Sequence, residues 1–187
     1  LLGEHDWWAE NRMPLYEEIS HVPLFVHHPA FAGQAGTRRS SLTQTIDLMP
    51  TLLDMFGVNA PAEVRGHSLL PVLGGDTPLR DVALYGLFGA ATNVTDGRYT
   101  YFRYPDDMVG QDLYEYTLMP THTQSLFAID EFKGTQLHQG FDFTRGVPVL
   151  RIPVRRNSLG QPGGQSLAWT FAECTTALYD LKTDPRQ

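Results

Sequence analysis

Few residues in this chain have the side-chain chemistry to do more than fold. His5, in Gly3-Glu4-His5, offers an imidazole that can protonate a leaving oxygen or, as imidazolium, neutralise a developing negative charge; it can equally be a structural group bonded to a loop carbonyl. His27-His28 invites a metal reading, but adjacent residues of an extended segment point to opposite faces, so at most one ring faces a given site. His122, in Met119-Pro-Thr-His-Thr123, can line the mouth of a substrate site, although a single loop histidine is commonly plain surface. Cys174 is the only cysteine, which excludes an intrachain disulfide and a cysteine-based zinc site. Its setting, Ala172-Glu-Cys-Thr-Thr-Ala-Leu178, holds no redox or nucleophile motif and reads as a small buried residue. Asn93-Val-Thr95 fits the glycosylation acceptor pattern, a motif too short to argue from alone.

The background field sets the terms for any such site. With 14 Lys and Arg against 21 Asp and Glu, the formal net charge is −7. The chain as a whole therefore repels phosphate backbones and anionic lipid, and nucleic acid is excluded as the expected partner. An anionic small substrate would need a local cation or metal to overcome that field. The basic clusters, Arg38-Arg39 and Arg151 with Arg155-Arg156, read as solvated surface. No apolar run approaches the roughly 20 residues of a membrane-spanning helix, so no membrane partner is expected. The opening Leu-Leu-Gly-Glu, which lacks Met and a leader pattern, reads as a truncation, and the compartment is left open.

The elements that must position these residues follow from periodicity. Val22 to His28 is a continuous apolar run closed by Pro29, the pattern of a strand buried on both faces of a parallel or mixed sheet. Ala30 to Ser41, rich in Gly and Ser, reads as an exposed loop. From Leu42 the spacing becomes helical: Leu42, Ile46, Met49, Leu53 and Phe56 recur every three or four residues. Ser41 or Thr43 can cap the start, Gly57 can end it, and Pro50 should kink it unless the helix proper begins there. Val82 to Phe88 and Arg98 to Tyr104 read as strands, with the turn Thr95-Asp96-Gly97 folding the second back on Ala91 to Val94. In that strand Tyr99, Tyr101 and Arg103 face one way and Arg98, Thr100, Phe102 and Tyr104 the other. Residues 105 to 165 carry scattered Gly and Pro among short apolar pieces such as Val147 to Val154, and Gly160 to Gln165 reads as a flexible loop. Ala177 to Leu181 offers a closing strand.

Several segments follow one another in a distinctive order: Gly3-Glu4-His5, the Trp-rich turn after it, Tyr16-Glu17-Glu18, and the segment opened by Val22-Pro23-Leu24. After them come Thr45-Ile-Asp-Leu-Met-Pro-Thr-Leu-Leu-Asp54 with Gly57, Arg65-Gly-His-Ser-Leu-Leu-Pro71, and Leu178-Tyr-Asp-Leu-Lys-Thr-Asp-Pro185. Taken in order, they resemble the C-terminal part of a formylglycine-type sulfatase of the alkaline-phosphatase superfamily. The resemblance covers both ends and much of the first hundred residues, leaving 105 to 175 as a less familiar insertion.

The resemblance implies an α/β fold: the C-terminal portion of an alkaline-phosphatase-like α/β/α sandwich, with a small antiparallel sheet and packed helix. Residues 1 to 75 would end the core and 76 to 187 would form a C-terminal subdomain. It implies hydrolysis of a sulfate ester, on a small molecule or a sulfated glycan, by a hydrated formylglycine with a calcium ion polarising the sulfate. The Cys/Ser-x-Pro-x-Arg motif that yields formylglycine does not occur in the chain, and the metal-binding Asp-His or Asp-Asn pair would stand just before Leu1. The rest of the same polypeptide is then the expected partner, and the chain alone is expected to be inactive. By the same resemblance His5 lies near the sulfate. Glu10 stands where such enzymes usually carry a Lys that binds the sulfate and the leaving oxygen, Arg12 could supply the cation in its place, and His122 could touch substrate. A carboxylate at position 10 would repel a sulfate by roughly a few kcal/mol at intermediate dielectric. Two alternatives accompany the reading: a phosphodiesterase or phosphonate monoester hydrolase of the same superfamily, and a non-catalytic relative that binds a sugar or partner through the aromatic strand surface.

Overall fold

The computed structural model describes residues 3–6, 8, 13–108, 110–122, 125–155 and 174–187. The chain divides into two compact units, Leu1–Tyr104 with Phe171–Gln187, and Pro105–Thr170. Glu10 and Arg12 lie outside the described residues, as does the loop expected at 160 to 165.

The first unit is built around a four-stranded antiparallel sheet of β1 (Ala83–Gly86), β2 (Thr92–Thr95), β3 (Tyr99–Arg103) and β7 (Ala177–Asp180), in the order β1-β2-β3-β7. The turn at Thr95-Asp96-Gly97 forms as its residues dictate. Gly97 takes φ +90, and the Asp96 carboxylate accepts from the Arg98 and Tyr99 N–H groups at 2.8 and 2.7 Å. The period of two is clean along β3: Thr100 and Phe102 are buried while Tyr99, Tyr101 and Arg103 are exposed, and Tyr104 beyond the strand is buried again. Phe102 is clasped between the rings of Tyr16 and Tyr179, at centroid distances of 5.9 and 5.2 Å. Such aromatic pairs add about 0.5–1.5 kcal/mol each beyond the apolar area they bury. Asn93 is fully buried in β2, so its acceptor motif is closed to modification in the folded chain.

Three short helices, α1 (Glu17–Ser20), α2 (Leu48–Met55) and α3 (Leu70–Gly75), belong to the same unit. Pro50 falls in the first turn of α2, where its missing N–H has no partner to lose, so no kink arises. A 3₁₀ turn, Thr45–Asp47, leads into the helix. It is Asp47 that accepts the Gln44 N–H, at 2.7 Å, and neither Ser41 nor Thr43 caps the start. Gly57, at φ +67, ends the helix as expected: its N–H reaches Asp54 O at 3.0 Å while Val58 N reaches Leu53 O at 2.8 Å, a Schellman stop.

Two expectations are overturned here. Val22 to His28 carries no regular structure and pairs with no strand among the described residues, and Phe25 is 92% exposed. A continuous apolar run reports that a segment wants burial; it cannot say which neighbour supplies it, and Pro23 withholds one ladder donor as well. The helix at 48 to 55 likewise buries Asp47, Pro50 and Thr51 and leaves Ile46, Met49, Leu52 and Phe56 exposed. The buried side is polar because Asp47 and Thr51 serve the loop that follows the helix.

That loop is tied down by Asp47, which has no exposure. Its carboxylate accepts both terminal nitrogens of Arg80 at 2.5 Å and the His67 N–H at 2.9 Å. Burial pushes the Asp47 carboxyl upward, but the Arg80 guanidinium and the two backbone N–H donors outweigh it and hold it below the ordinary carboxylate range. The Thr51 hydroxyl donates to Asp47 O at 2.5 Å and accepts the Leu69 N–H at 2.8 Å. A Cβ at Gly66 would run into the Ile46 carbonyl. The segments Thr45 to Asp54 and Arg65 to Pro71 are thus two halves of one clamp.

The basic pair Arg38-Arg39 is not uniform surface. Arg39 donates to Val72 O (2.8 Å), Leu73 O and Gln34 Oε1 (2.9 Å each), bracing the loop against the end of α3. Beside it Asp76, at φ +54, accepts both N–H and both hydroxyl donors of Ser40 and Ser41. These donors, the Ser40 N–H foremost, hold its carboxyl well below the usual range.

The second unit holds a three-stranded antiparallel sheet, β4 (Tyr114–Thr117), β6 (Val149–Pro153) and β5 (Gln136–His138), in the order β4-β6-β5. The apolar piece Val147 to Val154 supplies its central strand. Among the described residues after Ala83 the only helices are the 3₁₀ turns Ile129–Phe132 and Asp142–Thr144.

Candidate functional site

His5 sits in a strained turn. Gly3 takes φ +112, and both His5 and Asp6 adopt left-handed backbone at φ +54 and +58. Two successive non-glycine residues in that region cost on the order of 1–3 kcal/mol each and persist only where neighbours hold them. Here the neighbours come from Tyr16-Glu17-Glu18. The His5 ring stacks on Tyr16, with centroids 4.0 Å apart and planes 13° apart, and its Nε2 lies 3.2 Å from Glu18 Oε2. Side-chain exposure is 15% for His5 and 30% for Glu18, so the pair is partly shielded from water. Tyr16 in turn packs on Phe102, which ties the imidazole to the sheet. Glu17 binds the far end of the chain through its N–H, which donates to Gln187 Oε1 at 2.8 Å.

The tripeptide therefore has a division of labour that its sequence does not reveal. Tyr16 supplies a floor for His5 and Glu18 engages its Nε2. Glu17 pairs with His21 Nδ1 at 3.1 Å. With Glu18 ionised, Nε2–H is the donor to the carboxylate. Neither Tyr16 nor Glu18 stands out as a functional residue by type and spacing; the signal was the Tyr-Glu-Glu element itself.

His122 belongs to the other unit. Its Nε2 lies 2.8 Å from Glu131 Oε2, and its ring stands 3.9 Å from that of Phe127. The Ala128 N–H and then the His122 ring donate to Glu131, and together they lower its carboxyl from the ordinary value. His28 caps the 3₁₀ turn Pro29–Gln34 by accepting the Ala30 N–H at Nδ1, 3.2 Å away, while His27 is exposed. Among the described residues no three His, Cys, Asp or Glu side chains converge where an ion could be held. Cys174 is followed by Thr-Thr, not by the x-Pro-x-Arg context of a formylglycine precursor. The described residues therefore do not fit the calcium ion or the formylglycine that the resemblance implies.

Residues 3–140 match the model of the family described as N-sulphoglucosamine sulphohydrolase, C-terminal. The chain belongs to this sulfatase family. Among curated relatives, the N-acetylglucosamine-6-O-sulfatase of Bacteroides thetaiotaomicron is 41% identical over 80 residues, covering 42% of this chain and 14% of that one. The arylsulfatase K of Rattus norvegicus is 30% identical over 196 residues, covering 94% of this chain and 34% of the relative. The delta 4,5-hexuronate-2-O-sulfatase of Bacteroides thetaiotaomicron is 32% identical over 124 residues, covering 63% of this chain and 24% of that one. The chain thus spans at most about a third of the length of these relatives. No solved structure matches it. The matched span includes the His5 turn, Tyr16 to Glu18 and the Asp47 clamp, and the mixed α/β build with small antiparallel sheets agrees with a sulfatase C-terminal domain.

Proposed function

We propose that this chain is the C-terminal part of a hydrolase that cleaves sulfate esters of sugars, and that it contributes one wall of the active site through His5. The observation that carries the reading is the strained, stacked and carboxylate-held imidazole in a segment that belongs to a sulfatase family. The His5 imidazole would exchange a proton with the leaving oxygen, and Glu18 and Tyr16 act as positioning residues. Substrates of this kind fit the names of the relatives, which act on N-acetylglucosamine and hexuronate sulfates. Those names also favour sulfate over the phosphodiester or phosphonate alternative.

In this reading formylglycine and calcium are supplied by other parts of the parent polypeptide, the metal-binding Asp-His or Asp-Asn pair lies just upstream, and residues 1 to 75 complete its α/β core. The short span relative to the relatives supports it. So does the apolar surface formed by Ile46, Met49, Leu52 and Phe56, which a soluble domain ordinarily covers. Glu10 and Arg12 are assigned to the sulfate, with Arg12 taking the cationic role, and His122 to the substrate. The subdomain from 76 onward carries that last contact.

The test is kinetic and uses the parent enzyme with an aryl sulfate. His5→Ala should lower kcat by about 10²–10⁴, whereas Glu18→Gln should lower it less and shift the pH–rate profile. Glu10→Lys should raise turnover and Arg12→Ala should lower it. Unchanged kcat in His5→Ala would sink the proposal. The 187-residue chain alone should hydrolyse no sulfate ester.

A further inference from the structure

The second unit carries a surface that the proposed catalysis does not use. Along β4, β6 and β5 the register sets Tyr116 opposite Arg151 and Arg151 opposite Gln136. Side chains two residues away share a face, so Tyr114, Tyr116, Arg151, Gln136 and His138 stand on one side of the sheet and Glu115 on the other. Arg151 is therefore the one charged strand residue on its face.

The rings on that face form a connected series. Tyr116 meets His138 and Phe141 edge-on at 5.4 and 5.1 Å, His138 stacks on Phe141 at 5.2 Å, and Phe141 stacks on Phe143 at 5.2 Å with planes 9° apart. They stay partly open to solvent: Tyr116 is 43% exposed, Phe141 37% and Phe143 58%. The Arg151 guanidinium lies over the Tyr114 ring, 3.5 Å from its centroid.

A tight turn holds these rings in place. The Thr144 hydroxyl, itself buried, donates to Phe141 O at 2.8 Å and accepts the Phe141 N–H at 3.0 Å. Gly140 takes φ +90, and a Cβ there would meet Val147 O. The Gly140 N–H donates to His138 Nδ1 at 3.2 Å, which makes Nε2 the nitrogen that carries the ring hydrogen. Rings fixed before a ligand arrives lose little freedom when it binds.

We infer that this face binds a sulfated oligosaccharide, the aromatic series taking the C–H faces of the sugar rings and Arg151 taking a sulfate. The electron-rich face of an aromatic ring attracts the positively polarised C–H groups of a pyranose. A guanidinium fork matches two oxygens of a tetrahedral oxyanion, and Arg151, whose Nη1 also donates to Gln136 Oε1 at 3.3 Å, is the one cation among the strand residues of this face and offsets locally the repulsion of a chain at −7. The choice of a sulfated sugar rests on the proposed function; the binding face itself needs no catalysis.

The test titrates the 187-residue chain, by calorimetry, with a sulfated tetrasaccharide of alternating N-acetylglucosamine and hexuronate, with its desulfated counterpart, and with inorganic sulfate. The sulfated sugar should bind at least tenfold more tightly than the desulfated one, and inorganic sulfate should not reproduce the binding. Phe143→Ala, at an exposed position, should weaken both sugars tenfold or more with the melting temperature unchanged. Arg151→Lys should weaken only the sulfated one. The inference is overturned if the wild-type chain binds neither sugar, if both variants bind as the wild type does, or if Phe143→Ala instead abolishes self-association, which would make a second copy the occupant. Should His5→Ala keep full activity in the parent enzyme while these titrations come out as expected, the catalytic reading fails and the binding face stands.

Discussion

The two antiparallel sheets use aromatic residues in opposite ways. In the first unit Phe102 is 1% exposed and Tyr104 6%, so these rings are spent on a core, while Tyr99 and Tyr101 face outward. In the second, Val149 and Ile152 carry the burial, while the Tyr116 ring on β4 and the rings of Phe141 and Phe143 in the Thr144-braced turn stay partly exposed. A ring inside a sheet stabilises it by the area removed from water. A ring held outside contributes little stability and is better explained by what it meets.

The largest effect that can break this comparison is on the clamp of the first unit. Asp47→Ala strands the buried Arg80 and two backbone N–H groups, and removing one member of a buried pair costs about 3–5 kcal/mol; urea denaturation should show it. The same carboxyl sets an acid limit. Because its folded value lies below the unfolded one, its stabilisation is complete above the unfolded value of about 3.9 and is lost as pH falls through and below it. Asp47→Asn should flatten that limb of the melting temperature against pH.

Next, Phe102→Ala should cost about 3–5 kcal/mol, whereas Phe143→Ala should stay within about 0.5 kcal/mol, as exposed positions do. Equal losses would show that the second sheet is a core and not a platform. Gly140→Ala sharpens the point from the backbone side, since φ +90 and the nearby Val147 carbonyl should cost about 1–3 kcal/mol, read as a fall in melting temperature. The smallest effect is expected at the exposed Arg98–Asp180 pair, 2.9 Å apart, where Arg98→Ala should leave the melting temperature within error, because solvent screens such pairs.

What the sequence disclosed tracks how local the determining interaction is. The hairpin of β2 and β3 and the stop at Gly57 are set by residues adjacent in the chain, and both were legible. The Asp47 clamp joins residues 20 and 33 positions apart, so Asp47, Arg80 and the polar side of α2 could not be read from an apolar period that pointed the other way. The run Val22 to His28 announced burial without naming its cover. At the candidate site the family segment offers His5 as a candidate, but its support by Tyr16 and Glu18 depends on distances of 4.0 and 3.2 Å across 11 and 13 positions. In the second unit, β4 and β5 are too short and too mixed in polarity to show a period.

Arg38 and Arg39 illustrate how much two identical neighbours can differ. To a trypsin-like protease the sequence presents two equivalent cleavage sites in an exposed loop, and the enzyme must draw the arginine side chain into its own pocket before it can cut. Arg38 is exposed and can be taken up directly, while the Arg39 guanidinium is already occupied by Val72 O, Leu73 O and Gln34 Oε1. Brief digestion should therefore nick after Arg38 and spare the next bond, and because Arg39, Ser40 and Ser41 remain fastened to the end of α3, the nicked chain should keep its new N-terminus in place.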